Sequence, residues 1–258
     1  MRAMIFAAGL GTRLKPLTDT LPKALVPLAG KTLLQWQIEK LKAVGITDIV
    51  VNVHHFPDMI INYLKENDYF GCNIQVSDER EMLLETGGGL RYAHKAMQQL
   101  GNDRTNEGIL ICNVDILSNI RLKDLLKAYN PNEMGVLVVY PRETQRYLLF
   151  DESNRLCGWT NVATGEVKGE EAKRRSDKET IKQLAFSGMQ VLNPRIFECM
   201  NQVIAEKGKK FSLIDLYLSI AKTEVLRAFI PENYRMMDVG KIDQISEAEA
   251  FAQAISHA

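Results

Sequence analysis

The stretch that decides the fold is Met4-Ile-Phe-Ala-Ala-Gly-Leu-Gly-Thr-Arg-Leu-Lys-Pro-Leu-Thr-Asp-Thr-Leu-Pro-Lys-Ala-Leu-Val-Pro27. Its first residues, Met4 to Ala8, form a short apolar run that reads as a buried strand. Gly9 and Gly11 follow directly. Glycines after a strand let the chain bend tightly and turn its N–H groups toward a ligand, and such a loop cradles anions, phosphate above all. Arg13, Lys15 and Lys23 add cations to the same stretch. Arg13 suits a planar two-pronged grip on phosphate oxygens, and Lys23 a mobile point charge. Two familiar phosphate loops are excluded. A Walker A loop needs a second glycine five residues after the first, but Leu14 and Pro16 stand there. The dinucleotide fingerprint needs glycine or alanine where Leu14 is.

Outward from this loop, Lys31 to Val44 places Leu34, Ile38 and Leu41 on one helix face, and Gly45 ends it. Ile46 to Val53 reads as a strand, so the first fifty-odd residues spell a βαβ unit and a parallel sheet. Ligands of such sheets bind beyond the carboxyl ends of the strands, where the glycine loop lies. His54 and His55 close the second strand; adjacent rings on extended chain point to opposite sides, which disfavours a shared metal. Leu84-Glu85-Thr86-Gly87-Gly88-Gly89 precedes an apolar-periodic helix expected over 90–100, and three glycines there let something flat lie against the backbone. Gly108 to Val114 is a further strand that delivers Asp115 to its carboxyl end, where a partnerless acid is costly and a metal or a cation is expected.

The composition is that of an ordinary globular chain. Its 258 residues carry 46% hydrophobic and 25% charged residues, with a formal net charge of +0. A general nucleic-acid binder would carry a basic excess, so nucleic acid is not the expected partner. The amino-terminal apolar run is too short for a signal peptide and no run approaches a bilayer span, which together point to a cytoplasmic protein with no membrane partner. Cys72, Cys112, Cys157 and Cys199 show no paired metal spacing.

Taken as a block, Ala-Ala-Gly-x-Gly-Thr-Arg-Leu with Pro16, Thr18, Pro22-Lys23 and Val26-Pro27 resembles the signature of the sugar-phosphate nucleotidyltransferases. These enzymes make nucleotide-sugars from a nucleoside triphosphate and a sugar 1-phosphate. The form Leu-Glu-Thr-Gly-Gly-Gly looks like the N-acetylmuramate 1-phosphate uridylyltransferase branch, with mannose and heptose 1-phosphate guanylyltransferases similar. The resemblance implies a Rossmann-like three-layer α/β/α (GT-A-like) fold with a mostly parallel central sheet and a small sugar-side β extension. It implies one domain over 1–258, with a nucleotide part at 1–140, a sugar part at 141–240 and a terminal helix at 241–258. Ala8, Gly9, Gly11, Thr12, Arg13 and Lys23 would hold the triphosphate, Arg13 and Lys23 being the catalytic pair. Glu85, Gly87, Gly88 and Asn113 would complete the nucleotide site, and Asp115 and Asp238 (in Asp-Val-Gly) would bind Mg²⁺. Val114 stands where glycine or alanine is commoner, tightening the space beside the nucleotide.

The same resemblance places the sugar at Phe186-Ser187-Gly188. Gly188 there either leaves room for a sugar ring or simply kinks an edge strand. The family's Glu-Lys-Pro, whose lysine contacts phosphate, is replaced by Trp159-Thr160-Asn161. Residues 165–182 carry a dense mixed charge run, expected as a solvated mobile loop. Two other readings remain open. One is a cytidylyltransferase for a choline-type phosphate, for which Trp159 and Tyr147 are the candidate aromatic cage. The other is a non-catalytic nucleotide-binding regulatory module.

Overall fold

A computed structural model describes residues 1–101, 107–169, 172 and 181–256. In chain order its elements are β1 (Arg2–Phe6), β2 (Pro27–Leu28), β3 (Lys31–Thr32), α1 (Leu33–Lys42), β4 (Asp48–Val53), α2 (Pro57–Glu66), β5 (Asn73–Asp78) and α3 (Glu85–Gln99). Next come β6 (Ile109–Asn113), β7 (Ile116–Ser118), α4 (Leu122–Ala128), β8 (Gly135–Tyr140), β9 (Arg146–Phe150), β10 (Leu156–Asn161) and β11 (Glu166–Lys168). The chain closes with β12 (Lys182–Leu192), α5 (Ile196–Lys207), α6 (Leu213–Ile220), β13 (Leu226–Phe229), β14 (Met236–Asp238) and α7 (Ile245–Ser256).

The fold is a Rossmann-like three-layer α/β/α arrangement around one ten-stranded sheet. β1 sits inside it, parallel to β4 on one side and β6 on the other. A strand flanked by parallel neighbours and covered on both faces must be apolar throughout, which is why Ala3, Met4 and Ile5 are fully buried in succession. The period-2 alternation divides them. Ala3 and Ile5 pack with α1, α2, α4 and α7, whereas Met4 packs with α3, α5 and α6. Beyond β6 the sheet turns antiparallel. The 11-residue β12 pairs with β6, β8 and β9, and β10 and β11 extend the outer edge.

Three expectations are corrected here. The helix expected to begin at Leu90 begins at Glu85 and contains all three glycines. Gly87 and Gly88 are there because α3 presses on the chain before α6. A Cβ on Gly87 would lie 2.5 Å from the Phe211 ring, and one on Gly88 2.2 Å from the Lys209 carbonyl oxygen. Second, β12 is an interior strand rather than an edge strand; Gly188 (φ +77°) marks an irregularity in its register with β8 between Phe186 and Gln190. Third, Val114 is buried in the hydrophobic core, so its bulk fills the interior and not the space beside a nucleotide. The charged run begins as strand β11, paired to β10, while most of it lies outside the described residues. Among the described residues no helix is long and apolar enough to cross a membrane.

Candidate active site

The glycine loop leaves β1 at the carboxyl edge of the sheet and closes on itself. Gly11 adopts φ +64°, and a Cβ there would stand 2.8 Å from Thr18 Cγ2 and 3.1 Å from Lys23 Cβ. Glycine therefore lets the two limbs of the loop meet, and Thr18 Oγ1 seals them by donating to the Gly11 carbonyl at 2.8 Å. Gly9, by contrast, faces open space. Ala8 is buried, while Thr12 and Arg13 are exposed. The base of the loop is pinned from β4. Ala7 N donates to Asn52 Oδ1 at 2.8 Å, and Asn52 Nδ2 donates to Glu79 Oε1 at 2.8 Å. Burial pushes the Glu79 carboxyl up from its ordinary value, with the Asn52 amide opposing.

Lys23, Arg13, Asp115 and Asp238 converge. Lys23 Nζ donates to Asp115 Oδ2 and lies 3.9 Å from Asp238 Oδ1, and Arg13 Nη2 lies 3.7 Å from Asp238 Oδ2. The Lys23 side chain is 9% exposed, Asp115 20% and Asp238 41%. Backbone pairing brings the acids together: Asp238 is registered against Ile116 where β14 meets β7, and Val239 N donates to the Asp115 carbonyl at 2.9 Å. Asp238 thus comes from the carboxyl-terminal part of the chain to face a lysine and an acid from the amino-terminal part. Burial, and then the negative charge of Asp115, push the Asp238 carboxyl up, against Lys23, Arg13 and Arg142. Its Oδ1 is buried with no hydrogen-bond partner among the described residues. Two neighbouring carboxylates, one with an unpartnered oxygen, are donors of the kind a hard divalent cation takes, and here the Lys23 ammonium stands between them. Among the described residues no group of three or more metal-ligating side chains forms.

The remaining expected residues lie around this centre in different ways. Glu85 is exposed at the start of α3. The N–H groups of Gly87 and Gly88 both donate to the Phe211 carbonyl, at 2.9 and 3.1 Å, so in this structure they are engaged by the protein itself. Asn113 ends β6, and its Nδ2 lies 2.7 Å from where a Gly188 Cβ would be. The room that Gly188 leaves is therefore filled on that side by the Asn113 amide. Ser187 is buried, with its hydroxyl beside the Tyr234 phenol. Trp159 and Tyr147 do not share a face: Trp159 is opposite Leu148 and Tyr147 opposite Thr160, so the cage expected of them is not formed. Lys168 instead covers the Trp159 ring at 5.0 Å. His54 and His55 bond separately to the carbonyls of Glu79 and Thr18.

Sequence reading missed three supports. Gly240 admits the Arg13 guanidinium, which a Cβ would meet at 2.8 Å. Asn52 carried the one available signal, an amide inside the apolar run Ile-Val-Val-Asn-Val. Glu79 carried none, being one of many charged residues in its neighbourhood.

Known proteins resemble this chain over most of its length. The N-acetylmuramate alpha-1-phosphate uridylyltransferase of Caulobacter vibrioides is 32% identical over 257 residues, covering 96% of this chain and 95% of that protein. A probable mannose-1-phosphate guanylyltransferase of Oryza sativa is 31% identical over 207 residues, 77% of this chain and 51% of the rice protein. The crystal structure of HddC from Yersinia pseudotuberculosis complexed with GMP-PN superimposes with a TM-score of 0.72 at 20% identity, covering 97% and 99% of the two chains. Residues 2–255 match the family described as nucleotidyl transferase, and the chain belongs to that family.

Proposed function

We propose that the chain transfers a nucleotidyl group from UTP or GTP to a sugar 1-phosphate and releases pyrophosphate. The observation that carries this reading is the convergence of Lys23 and Arg13 on Asp115 and Asp238 beside an open glycine loop. It is supported by the uridylyltransferase and guanylyltransferase names of the relatives over most of the chain.

A phosphate oxygen of the sugar 1-phosphate would attack the α-phosphorus in line, forming one P–O bond as the bond to the β-phosphate oxygen breaks. Such transfer asks for placement and charge neutralisation more than for covalent chemistry. Asp115 and Asp238 would hold Mg²⁺, which when bound neutralises phosphate charge and draws the two substrates together. Gly9, Gly11 and Thr12 offer backbone and hydroxyl donors to the triphosphate. Arg13 and Lys23 face the acids, where they would take up charge as pyrophosphate leaves. The choline-type reading loses its aromatic cage to the strand register. The regulatory reading rested partly on Val114, which the core absorbs.

The test is pyrophosphate release with Mg²⁺, crossing UTP, GTP, CTP, ATP and dTTP with the 1-phosphates of N-acetylmuramate, mannose, glucose and a heptose. Turnover concentrated in one UTP or GTP combination is the expected result. Nucleotide binding with no turnover in any combination would point first to an acceptor outside this panel and second to the regulatory module.

A further inference from the structure

β7 is three residues long and has a strand neighbour on one edge only, β14. On that edge Val239 N donates to the Asp115 carbonyl at 2.9 Å, and Asn119 N donates to the Arg235 carbonyl at 3.2 Å. Backbone groups alternate along a strand, so the carbonyls of Ile116 and Ser118 turn to the other edge, where a third strand would lie. Side chains of α1 answer them instead. Gln37 Nε2 donates to the Ile116 carbonyl at 2.7 Å, and Lys40 Nζ donates to the Ser118 carbonyl and to Ser118 Oγ, each at 2.8 Å. Positions 37 and 40 share a helix face, as 116 and 118 share a strand edge.

This placement is costly for Lys40. Burial pushes its ammonium down to about 8, with Cys112 opposing. The adjacent carboxylate, Glu39, turns to Lys31 and Gln35, and Asp124 pairs with Arg121 at 3.3 Å. A charge drawn out of water without an ion pair lowers stability, so stability alone does not account for a lysine here. Packing does not back this edge either. Trp36, Gln37 and Lys40, with Ile116, Leu117 and Ser118, border a cavity of about 870 Å³. What the two side chains secure is β7, and the acid pair hangs on it. Asp115 directly precedes Ile116, and Asp238 is registered against Ile116 across the ladder. Among the described residues neither Gln37 nor Lys40 bonds to Asp115, Asp238, Lys23 or Arg13, so any effect on the site passes through the strand. A local cost accepted beside a functional site is what a positioning role requires.

We propose that Gln37 and Lys40 are positioning residues, which from α1 fix β7 and through it the spacing of Asp115 and Asp238. Their effect on turnover rests on the nucleotidyltransferase reading. The test compares Q37L, K40M, K40R and the double variant Q37L/K40M with the parent protein. K42M is the control, since Lys42 leaves the same helix toward the Phe70 carbonyl. Amide hydrogen exchange needs no turnover. It should be at least about tenfold faster at Val239 and Asn119 in Q37L and K40M, with the amides of β1 and β4 at parental rates. On whichever combination is turned over, kcat should fall about tenfold in K40M and further in the double variant, with both substrate KM values within about twofold of the parent's. K40R should recover part of both effects, because a guanidinium can still donate to the Ser118 carbonyl, and K42M should show neither. Parental exchange at Val239 in both Q37L and K40M would mean that β7 holds its place without α1, and the proposal falls. Faster exchange throughout the sheet, with a lower melting temperature and no recovery in K40R, would make the two residues general supports of the fold and overturn the positioning role. So would a parental kcat beside loosened β7 and β14 amides. No turnover in the parent protein, with exchange loosened only at β7 and β14, would sink the reaction reading and keep the link from α1 to the acid pair.

Discussion

Lys23 is a nearly buried ammonium between two carboxylates, and its removal separates two effects. K23M leaves the Asp115 carboxylate without its donor in a half-dry site, at a cost of about 1–3 kcal/mol in stability without metal. Adding Mg²⁺ should recover part of that loss, because a divalent cation answers the same charges, and should stabilise the parent less. Thermal melts with and without Mg²⁺ measure both; an identical Mg²⁺ response in the two proteins would mean that the carboxylates do not bind the ion. Turnover should fall by at least about 100-fold in either condition, since pyrophosphate loses a cation. Gly240 gives a joint probe of Arg13 and Asp238. A methyl group there meets the Arg13 guanidinium and Asp238 Oδ1, each at 2.8 Å, so both side-chain ends must shift. G240A is expected to keep parental stability within about 0.5 kcal/mol while turnover drops at least about tenfold. Intact turnover in G240A would mean that the reaction does not depend on the placement of Arg13 against Asp238 seen here.

Elements explain why some of this was legible in the sequence and some was not. The amino-terminal βαβ unit could be read because its strands are covered on both faces and its helix on one, so periodicity reports burial directly. The paired acids were legible only through the family signature, since Asp115 and Asp238 are separated by nearly half of the chain and meet through the β7–β14 pairing. α5 went unread, and so did the packing of α3 on residues 209–211, because both depend on what lies across the layer. α3 shows how tertiary contact overrides propensity. Gly88→Ala improves the helix by about 1 kcal/mol in isolation. Here its Cβ would sit 2.2 Å from the Lys209 carbonyl oxygen, which is backbone and cannot rotate away. The variant should therefore be destabilised by about 2–3 kcal/mol, as denaturant unfolding would show. A G88A protein as stable as the parent would mean that the α3–α6 junction adapts freely. Glu79 ties β5 to β4 and the glycine loop, and its raised carboxyl makes a signed pH prediction. As pH rises above the ordinary value of 4.5, the unfolded state ionises first, so stability falls until the folded-state value is passed. E79Q has no such ionisation. Its stability relative to the parent should increase from pH 4 toward pH 7, and a pH-independent difference would contradict the burial argument.

At the scale of the whole molecule, one sheet carries both halves of the site. Strand β12 joins the parallel strands that hold the glycine loop to the antiparallel strands of the carboxyl-terminal part. Asp238 returns on β14 to meet Asp115. A ligand held by Arg13, Lys23 and both acids therefore bridges segments more than a hundred residues apart, and it binds the folded state alone. Mass action then fixes the size of the effect: at 100 times its dissociation constant such a ligand stabilises by about 2.7 kcal/mol, or about 5–10 °C in a chain of this length. Parent protein with Mg²⁺ and its preferred triphosphate should show that shift, and D115N and D238N should each lose most of it. The two variants remove the bridge from opposite ends, so they should fail alike. If D115N lost the shift while D238N kept it, the nucleotide would be held by the amino-terminal half alone, and Asp238 would serve to steer Arg13 and Lys23 without joining the metal.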